Sequence, residues 1–197
     1  MNYEEQKFNL PEIQGLSKKN IEEHVKLYAG YVKHTNLVLE KIAEYSKDTT
    51  ANGYAINEIR RRFGFEFGGM RNHEYYFGAL EGGPVPLTSS SPLKKAIVTS
   101  FGDYDEWQKD FKSIALTRGI GWAILVYDKK AGRLLNSWVD EQHIGHLAGL
   151  PIVLALDMFE HAYYLDYVPA EKKIYIDAYF ANVNWLAVEK FFEEAAE

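Results

Sequence analysis

Cysteine is absent from this chain of 197 residues. Disulfide bonds, thiolate zinc sites, iron–sulfur clusters and cysteine nucleophiles are therefore excluded. The chain also has no apolar run long enough to span a bilayer, and its first residues, MNYEEQKFNLPEI, lack the basic start and apolar run of a signal peptide. The formal charge of -6 does not suggest a nucleic-acid partner. These absences predict a cytoplasmic protein that binds neither nucleic acid nor a membrane.

The composition that is present is typical of a globular protein, with 47% hydrophobic and 25% charged residues. Aromatic residues are the one unusual feature, at 15% with 14 tyrosines. Tyrosine packs like a hydrophobic residue but carries a polar tip, so it is a frequent wall of buried polar sites.

The first half of the chain is predicted to form two long helices. Ser17 is placed as an N-cap, and apolar residues recur at helical spacing from Lys18 to about Tyr45. Turn residues in SKDTTANG, 46–53, predict a loop. A second helix is predicted from about Tyr54 to Leu80. The two helices would form an antiparallel hairpin.

Two adjacent glycines, Gly68 and Gly69, interrupt the second predicted helix. Such a pair costs about 1–2 kcal/mol in a helix interior. We therefore expect another part of the protein to approach the helix backbone at this point.

The second half of the chain mixes helices and strands. The linker EGGPVPLTSSSP predicts a domain boundary, giving a helical hairpin domain over 1–86 and a second domain over 87–197. Ser91-Pro92 and the capping box DYDE begin two helices, the second ending near Arg118. GWAILVYD and RLLNSWVD predict a β-hairpin, PIVLALD a third strand, and the chain after Glu160 reads as helix broken near Pro169. The predicted fold class is α+β, with a small three-stranded antiparallel sheet.

Three histidines and one aspartate stand out by position. His24 lies on the first helix, His73 lies on the second just past the glycines, and His161 follows Asp157 by four residues. Three imidazoles and a carboxylate from separate elements suit a redox-active transition metal, although zinc takes the same ligands. A simpler alternative for Asp157 is an N-cap on the segment that carries His161.

Four segments now identify a resemblance. DMFEHAYYLDY resembles the metal signature D-x-W-E-H-A-Y-Y of the iron/manganese superoxide dismutases, and FGGMRNHEYYF resembles the second-helix signature of that family. GIGWAILVYDKKAGRL and YFANVNWLAVEKFF are similar to its hairpin and closing helix. The resemblance runs from about Leu10 to Phe192, with the motifs in the family's order and spacing.

The resemblance implies an enzyme that disproportionates superoxide at one manganese or iron ion, with a solvent molecule as fifth ligand. Gln142 would hydrogen-bond that solvent molecule from the loop after the hairpin, since the alternative position on the second helix is Gly69. This arrangement is similar to that of the manganese enzymes. The implied metal ligands are His24, His73, Asp157 and His161.

The same resemblance implies that two chains associate. Glu160 corresponds to the glutamate that reaches the ligand histidine of a second subunit, and Tyr164 to the tyrosine beside it. A homodimer, or a tetramer built from it, is expected.

The chain departs from the family pattern at several positions. Phe159 stands where the signature has tryptophan, and Ile124 replaces the second tryptophan of the hairpin motif. The nearest counterpart of the basic residue at the substrate entrance is Lys172. The aromatic cage is therefore expected to be smaller.

The family pattern in the first helix is H-x3-H-x3-Y-V, and in HVKLYAGYV the spacing between the ligand histidine and the tyrosine is one residue shorter. In a regular helix the seven-residue step from His24 to Tyr31 returns to within about 20° of the same face. A step of eight residues would need a π-bulge to place both side chains on the same face. In the alternative interpretation the helix has this bulge, and Glu23 takes the ligand position in place of His24. We expect a regular helix, with Tyr31 as gateway bonded toward Gln142 and Tyr28 lining the entrance in place of a histidine.

Two other functions remain open on the sequence alone. The first is a catalytically retired protein that keeps the fold for a structural or interaction role, although all the candidate ligands are present. The second is a zinc hydrolase, which would need a general base near the bound water. Iron and manganese take similar ligands, so the residues do not choose between them.

Overall fold

The computed structural model describes residues 2–197. Two long helices are followed by two shorter helices, a three-stranded sheet and two closing helices. No helix in the described chain is both long and apolar enough to cross a membrane. The elements are α1 (Lys18–Tyr45), α2 (Thr49–Gly78), α3 (Pro92–Phe101), α4 (Tyr104–Ala115), β1 (Gly121–Asp128), β2 (Arg133–Asp140), β3 (Ile152–Asp157), α5 (Lys172–Asn182) and α6 (Trp185–Ala196).

The N-terminal helical hairpin is confirmed, and its first helix is regular. Ser17 caps α1 by accepting a hydrogen bond from the backbone of Asn20, and the helix runs to Tyr45 without a π-helical turn. The predicted loop over 46–53 is wrong, because α2 already begins at Thr49. The side chain of Asp48 accepts a hydrogen bond from the Ala51 backbone and so starts the helix earlier.

The sheet has the predicted size and direction. Its strand order is β2-β1-β3, with both pairings antiparallel. All six residues of β3 are buried, which explains why its sequence is a continuous apolar run ending in Asp157.

Two predicted helical segments end differently in the structure. The helix α4 ends at Ala115, three residues before the predicted end at Arg118. Between Glu160 and the predicted break near Pro169, the chain forms only a short 3-10 turn, Glu160–Ala162, where helix was predicted, and regular helix resumes with α5. Tyr163 leaves helical geometry with φ -143, and both Tyr163 and Tyr164 donate to the Glu160 carbonyl, so the chain turns there.

The two halves of the chain share one core. The helix α2 packs against α1 on one side and against β3 on the other. The buried apolar cluster includes residues of the hairpin, such as Tyr28 and Phe77, together with residues of the sheet, such as Leu154. The domain boundary at residue 86 stays a prediction. The packing brings the end of β3 against both long helices.

Candidate metal centre

Four side chains from three parts of the fold converge where β3 ends against the helical hairpin. One ligand atom of each lies within 4.8 Å of the others. Oδ2 of Asp157 is 3.1 Å from Nε2 of His24, 3.1 Å from Nε2 of His161 and 3.4 Å from Nε2 of His73. These are the residues singled out in the sequence as metal ligands.

The orientation of His73 shows that the cluster fits a metal ion. Its Nδ1 lies 2.6 Å from the carbonyl oxygen of Gly69. A carbonyl only accepts, so Nδ1 carries the hydrogen and Nε2 of the neutral ring has a free lone pair. That Nε2 is buried without a hydrogen-bond partner. Buried polar atoms are rarely left unsatisfied, and a metal ion at the centre of the cluster would satisfy this one.

Burial and the neighbouring imidazoles lower the pKa of His24 and His73, so these two rings are neutral near pH 7. Burial lowers the pKa of His73 to about 3, and the neighbouring His24 adds to the decrease. Burial also lowers the pKa of His24, although its hydrogen bond with Asp157 opposes the decrease. Neutral imidazoles are the form that binds metals.

Asp157 stays ionised although it is fully buried. Burial alone would raise its pKa, but the charge of His161 and the hydrogen bonds from His161 and His24 outweigh burial and lower the pKa below its usual value. The second carboxylate oxygen accepts a hydrogen bond from the Phe159 backbone at 2.8 Å. Asp157 therefore holds the following turn with one oxygen and faces the histidines with the other. The alternative that Asp157 is an N-cap is wrong, because the N-cap of the turn that carries His161 is Phe159 and no side chain caps it.

Aromatic rings enclose the cluster. The rings of Phe77 and His24 lie 4.9 Å apart, and those of Trp122 and His73 lie 5.0 Å apart. Phe159 stacks on His161 at 5.0 Å with an interplanar angle of 20°. Such walls limit the entry of water and of larger ligands. Ile124, the other departure from the family's tryptophans, is buried in β1.

Gln142 is fully buried, and its amide is held at both ends. The indole nitrogen of Trp122, which can only donate, lies 2.9 Å from Oε1 of Gln142. This contact fixes the direction of the amide, so Nε2 of Gln142 donates to the hydroxyl of Tyr31 at 3.0 Å. An amide nitrogen carries two hydrogens, and the second remains for another acceptor.

The two glycines of α2 make room for this arrangement, as expected from the sequence. A Cβ on Gly68 would lie 2.2 Å from the Gln142 carbonyl oxygen, and a Cβ on Gly69 would lie 2.5 Å from the Tyr31 ring. The side chain of Asn72 also donates to the Gln142 carbonyl, at 3.1 Å. The loop and the tyrosine can approach α2 only because these positions have no side chain.

The register of α1 agrees with the predicted regular helix. His24 is in the cluster, and seven residues later the ring of Tyr31 lies 5.2 Å from that of His73. Glu23 is on the surface, paired with Lys26 at 2.7 Å. The alternative with a bulge and Glu23 in the ligand position is therefore wrong.

Tyr28 does not line an entrance in the described chain. It is fully buried, and its hydroxyl accepts from the Gln6 backbone at 2.9 Å and donates to Glu74 at 3.2 Å. In a regular helix Tyr28 is about 60° from Tyr31 around the axis, whereas Leu27 is about 40° away on the other side. The Tyr28 side of α1 is covered by the N-terminal segment and α2. Leu27, with 40% of its surface exposed, takes the open side.

A surface cavity of about 420 Å³ lies beside His161. It is lined by Glu23, Leu27, Glu160, His161 and Tyr164. The two residues predicted at a subunit interface, Glu160 and Tyr164, are thus both at its wall, and 56% of the Tyr164 surface is exposed.

Sequence reasoning missed three residues of the site. Trp122 orients Gln142, Leu27 faces the cavity, and the hydroxyl of Tyr175 donates to the Asp157 carbonyl at 2.8 Å. The helical phase of Leu27 relative to Tyr31 could have suggested its position. Nothing local in the sequence identifies the partners of Trp122 and Tyr175.

Lys172 is the nearest counterpart of the family's basic residue at the substrate entrance. Its ammonium group lies 6.0 Å from the centre of the Tyr163 ring.

Comparison with known proteins agrees with this geometry. The family model "Iron/manganese superoxide dismutases, C-terminal domain" matches residues 89–191. The chain is 38% identical to "Superoxide dismutase [Fe]" of Cupriavidus metallidurans, over 87% of this chain and 85% of the relative. It is 35% identical to "Superoxide dismutase [Fe]" of Aquifex aeolicus, over 93% and 87%, and 33% identical to "Superoxide dismutase [Mn] 1" of Halobacterium salinarum, over 86% and 82%. The chain belongs to the iron/manganese superoxide dismutase family.

Proposed function

We propose that this protein is a superoxide dismutase, which converts two superoxide anions and two protons into dioxygen and hydrogen peroxide. The observation that carries the proposal is the convergence of three imidazoles and one carboxylate in a buried, aromatic-lined site. Relatives over most of the chain carry the name superoxide dismutase. Burying these polar and charged side chains costs folding free energy, and a protein that had lost its catalytic function would not need the complete cluster.

The proposed ligands of the metal are His24, His73, Asp157 and His161, each through the atom that faces the cluster. A bound manganese or iron ion supplies one-electron redox chemistry, by which one superoxide is oxidised and the next is reduced. Relatives are named for either iron or manganese, and the donor set suits both.

Gln142 is proposed to control protons at the site. Its amide is locked between Trp122 and Tyr31, so one N–H is directed to the tyrosine and the other is available to a solvent molecule bound at the metal. A fixed donor of this kind favours solvent that can accept a hydrogen bond, which tunes both protonation and the redox potential of the site.

Tyr31 is proposed as the gateway. It is only partly buried, its ring contacts His73, and its hydroxyl is held by Gln142. Burial, and after it the negative charge of Asp157, raises the pKa of Tyr31 to about 12. The phenol therefore stays protonated near neutral pH, and because its oxygen accepts the hydrogen bond from Gln142, its own hydrogen is left to be donated to solvent.

A homodimer is proposed, with the cavity beside His161 as the interface. The carboxylate of Glu160 and the ring of Tyr164 are exposed there, and Leu27 adds apolar surface. Glu160 of each chain would then reach His161 of the other. Sedimentation of the wild-type protein at micromolar concentration tests this proposal, and an active monomer would contradict it. A tetramer stays a prediction, which the same sedimentation experiment tests. A cytoplasmic location also stays a prediction, which cell fractionation tests.

The experiment that tests the function measures metal content and turnover together. His161→Ala should lose both, whereas His34→Ala, which removes an imidazole from the exposed part of α1, should keep its metal. Gln142→Ala should keep the metal but lose most turnover with either iron or manganese. A fully metallated and fully active His161→Ala protein would show the ligand assignment to be wrong. Wild-type protein loaded with each metal in turn and inactive with both would favour a structural role instead.

A further inference from the structure

Two tyrosines of α5 hold the strand that ends in Asp157. Tyr175 and Tyr179 are four residues apart, so they lie on one face of the helix. The Tyr175 hydroxyl donates to the Asp157 carbonyl at 2.8 Å, and the Tyr179 hydroxyl donates to the Ala155 carbonyl at 2.9 Å. Both tyrosines are fully buried. The two contacts are thus chemically alike, but only one of them is made to a residue of the metal cluster.

The carbonyls of Asp157 and Ala155 face away from the rest of the sheet. The strand β3 is at the edge of the sheet and pairs only with β1. The backbone of Met158 donates to Gly121 at 2.8 Å, and hydrogen-bonded and non-hydrogen-bonded positions alternate along an antiparallel pair. Asp157 and Ala155 are therefore at non-hydrogen-bonded positions, where the tyrosines of α5 supply the donors that β1 does not.

A third tyrosine orients the hydroxyl of Tyr175. The hydroxyl oxygens of Tyr175 and Tyr76 lie 3.3 Å apart. A phenol has one hydrogen, and that of Tyr175 is on the Asp157 carbonyl, so Tyr76 is the donor to Tyr175. Tyr76 is in α2, three residues after His73, and its ring lies 4.9 Å from that of His24. The two hydrogen bonds connect the helix that carries one metal ligand with the strand that carries another.

Asp157 is the residue whose position matters to the whole cluster. Its Oδ2 lies 3.1 to 3.4 Å from the Nε2 atoms of His24, His73 and His161. Its Oδ1 is held by the Phe159 backbone. An aspartate side chain has only two rotatable bonds, so its carboxylate follows the backbone closely. A shift of the Asp157 backbone would therefore change its distance to all three imidazoles at once.

We propose that Tyr175 is a positioning residue, which fixes the Asp157 carboxylate relative to His73 and so sets the geometry of the bound metal. Tyr76 keeps the Tyr175 hydroxyl in the orientation that this hydrogen bond needs. The inference rests on the proposed metal ligands but not on superoxide turnover. Tyr179 makes the same kind of bond two residues earlier in β3, where no ligand is attached, and contributes to stability alone.

The test uses Tyr175→Phe in the manganese-loaded protein and has two readouts. Phenylalanine keeps the ring and its packing, so only the hydrogen bond to the Asp157 carbonyl is lost. Removing a partner that orients a metal ligand typically lowers metal affinity by about 10- to 100-fold. We expect manganese to bind about 10-fold more weakly, measured by competition with a chelator. The visible absorption band of bound manganese(III) should shift, because the ligand geometry changes.

Tyr179→Phe is the matched control. It removes a hydroxyl of the same type, from the same helix, with the same burial and a bond of nearly the same length. Both variants should lose a similar amount of thermal stability, because each leaves one buried carbonyl without this donor. Tyr179→Phe should keep manganese affinity within about twofold of wild type and keep the wild-type absorption band.

Tyr76→Phe is a second, milder variant. It leaves the bond from Tyr175 to Asp157 in place and removes only the hydroxyl that orients Tyr175. Manganese affinity should fall by about threefold, and the absorption band should shift in the same direction as in Tyr175→Phe but by less. If Tyr175→Phe does not fold, the comparison of Tyr76→Phe with Tyr179→Phe decides.

The order of the effects tests the inference. A decrease in manganese affinity that is largest for Tyr175→Phe, smaller for Tyr76→Phe and absent for Tyr179→Phe supports the positioning role. Equal effects in the two variants of α5, or wild-type affinity and absorption in both Tyr175→Phe and Tyr76→Phe, would overturn it. Wild-type protein that binds manganese but has no turnover would contradict the proposed function and leave the positioning role intact.

Discussion

Adding one methyl group at Gly68 should disturb the site from outside the metal cluster. A Cβ at this position would lie 2.2 Å from the carbonyl oxygen of Gln142 and 3.0 Å from its carbonyl carbon. An ordinary contact is longer by about 1 Å or more, so the backbone of the loop must move by that distance. Backbone cannot rotate away as a flexible side chain can, and Gly68→Ala should therefore displace the Gln142 amide.

The expected size of the effect combines three contributions. Replacing glycine by alanine in a helix interior favours the folded state by about 1 kcal/mol. Overpacking costs about 1–3 kcal/mol, and losing the Asn72 hydrogen bond to Gln142 costs about 0.5–1.5 kcal/mol. Gly68→Ala should thus be destabilised by about 0.5–3.5 kcal/mol in total.

Gly30 of α1 is the matched control. It lies in a helix interior, and nothing is within 4 Å of the place where its Cβ would be. Gly30→Ala should therefore be stabilised by about 1 kcal/mol and keep wild-type turnover.

The assay is thermal unfolding of both variants at equal metal loading, followed by turnover per metal. About 1 kcal/mol corresponds to a Tm change of about 2–4 °C for a protein of this size. Gly30→Ala should unfold a few degrees above wild type. Gly68→Ala should unfold below it and have lower turnover. If Gly68→Ala is as stable and as active as Gly30→Ala, the close approach of the Gln142 loop is not a constraint on the site.

Three further substitutions test the assignments around the cluster. Tyr31→Phe removes the acceptor of the 3.0 Å bond from Gln142, so turnover should fall while metal content, measured by elemental analysis, is kept. Tyr28→Phe leaves Glu74 without one of its partners and should lower the free energy of unfolding by about 1–3 kcal/mol. Its turnover per metal should be unchanged, and a clear loss would restore Tyr28 to the entrance. Glu160→Ala should shift the sedimentation equilibrium toward monomer and lower activity. A dimer of unchanged affinity would contradict the interface role of Glu160.

Much of the fold could be predicted because its signals are local. The hydrophobic spacing of α1, the cap at Ser17 and the turn of the hairpin depend on residues close in sequence. The start of α2 was predicted too late, because TTANG reads as a turn while the Asp48 cap and the packing against α1 favour helix. Propensity is a weak signal, and tertiary packing decides such borderline segments.

The sequence by itself determined the candidate ligands and the relation between His24 and Tyr31. Seven residues of regular helix make two turns, so this relation follows from helix geometry without any knowledge of the fold. The two glycines of α2 likewise predicted that another segment approaches this helix closely, but the sequence did not identify that segment.

Only the tertiary structure decided which side of α1 faces the opening. The N-terminal segment and Glu74 cover Tyr28, and Leu27 is left at the cavity, although both residues are close to Tyr31 in helical phase. The contact of Trp122 with Gln142 was equally hidden, since it joins a strand to a loop twenty residues later. Local geometry fixes angles around a helix, whereas the faces that become buried depend on which distant segments pack against it.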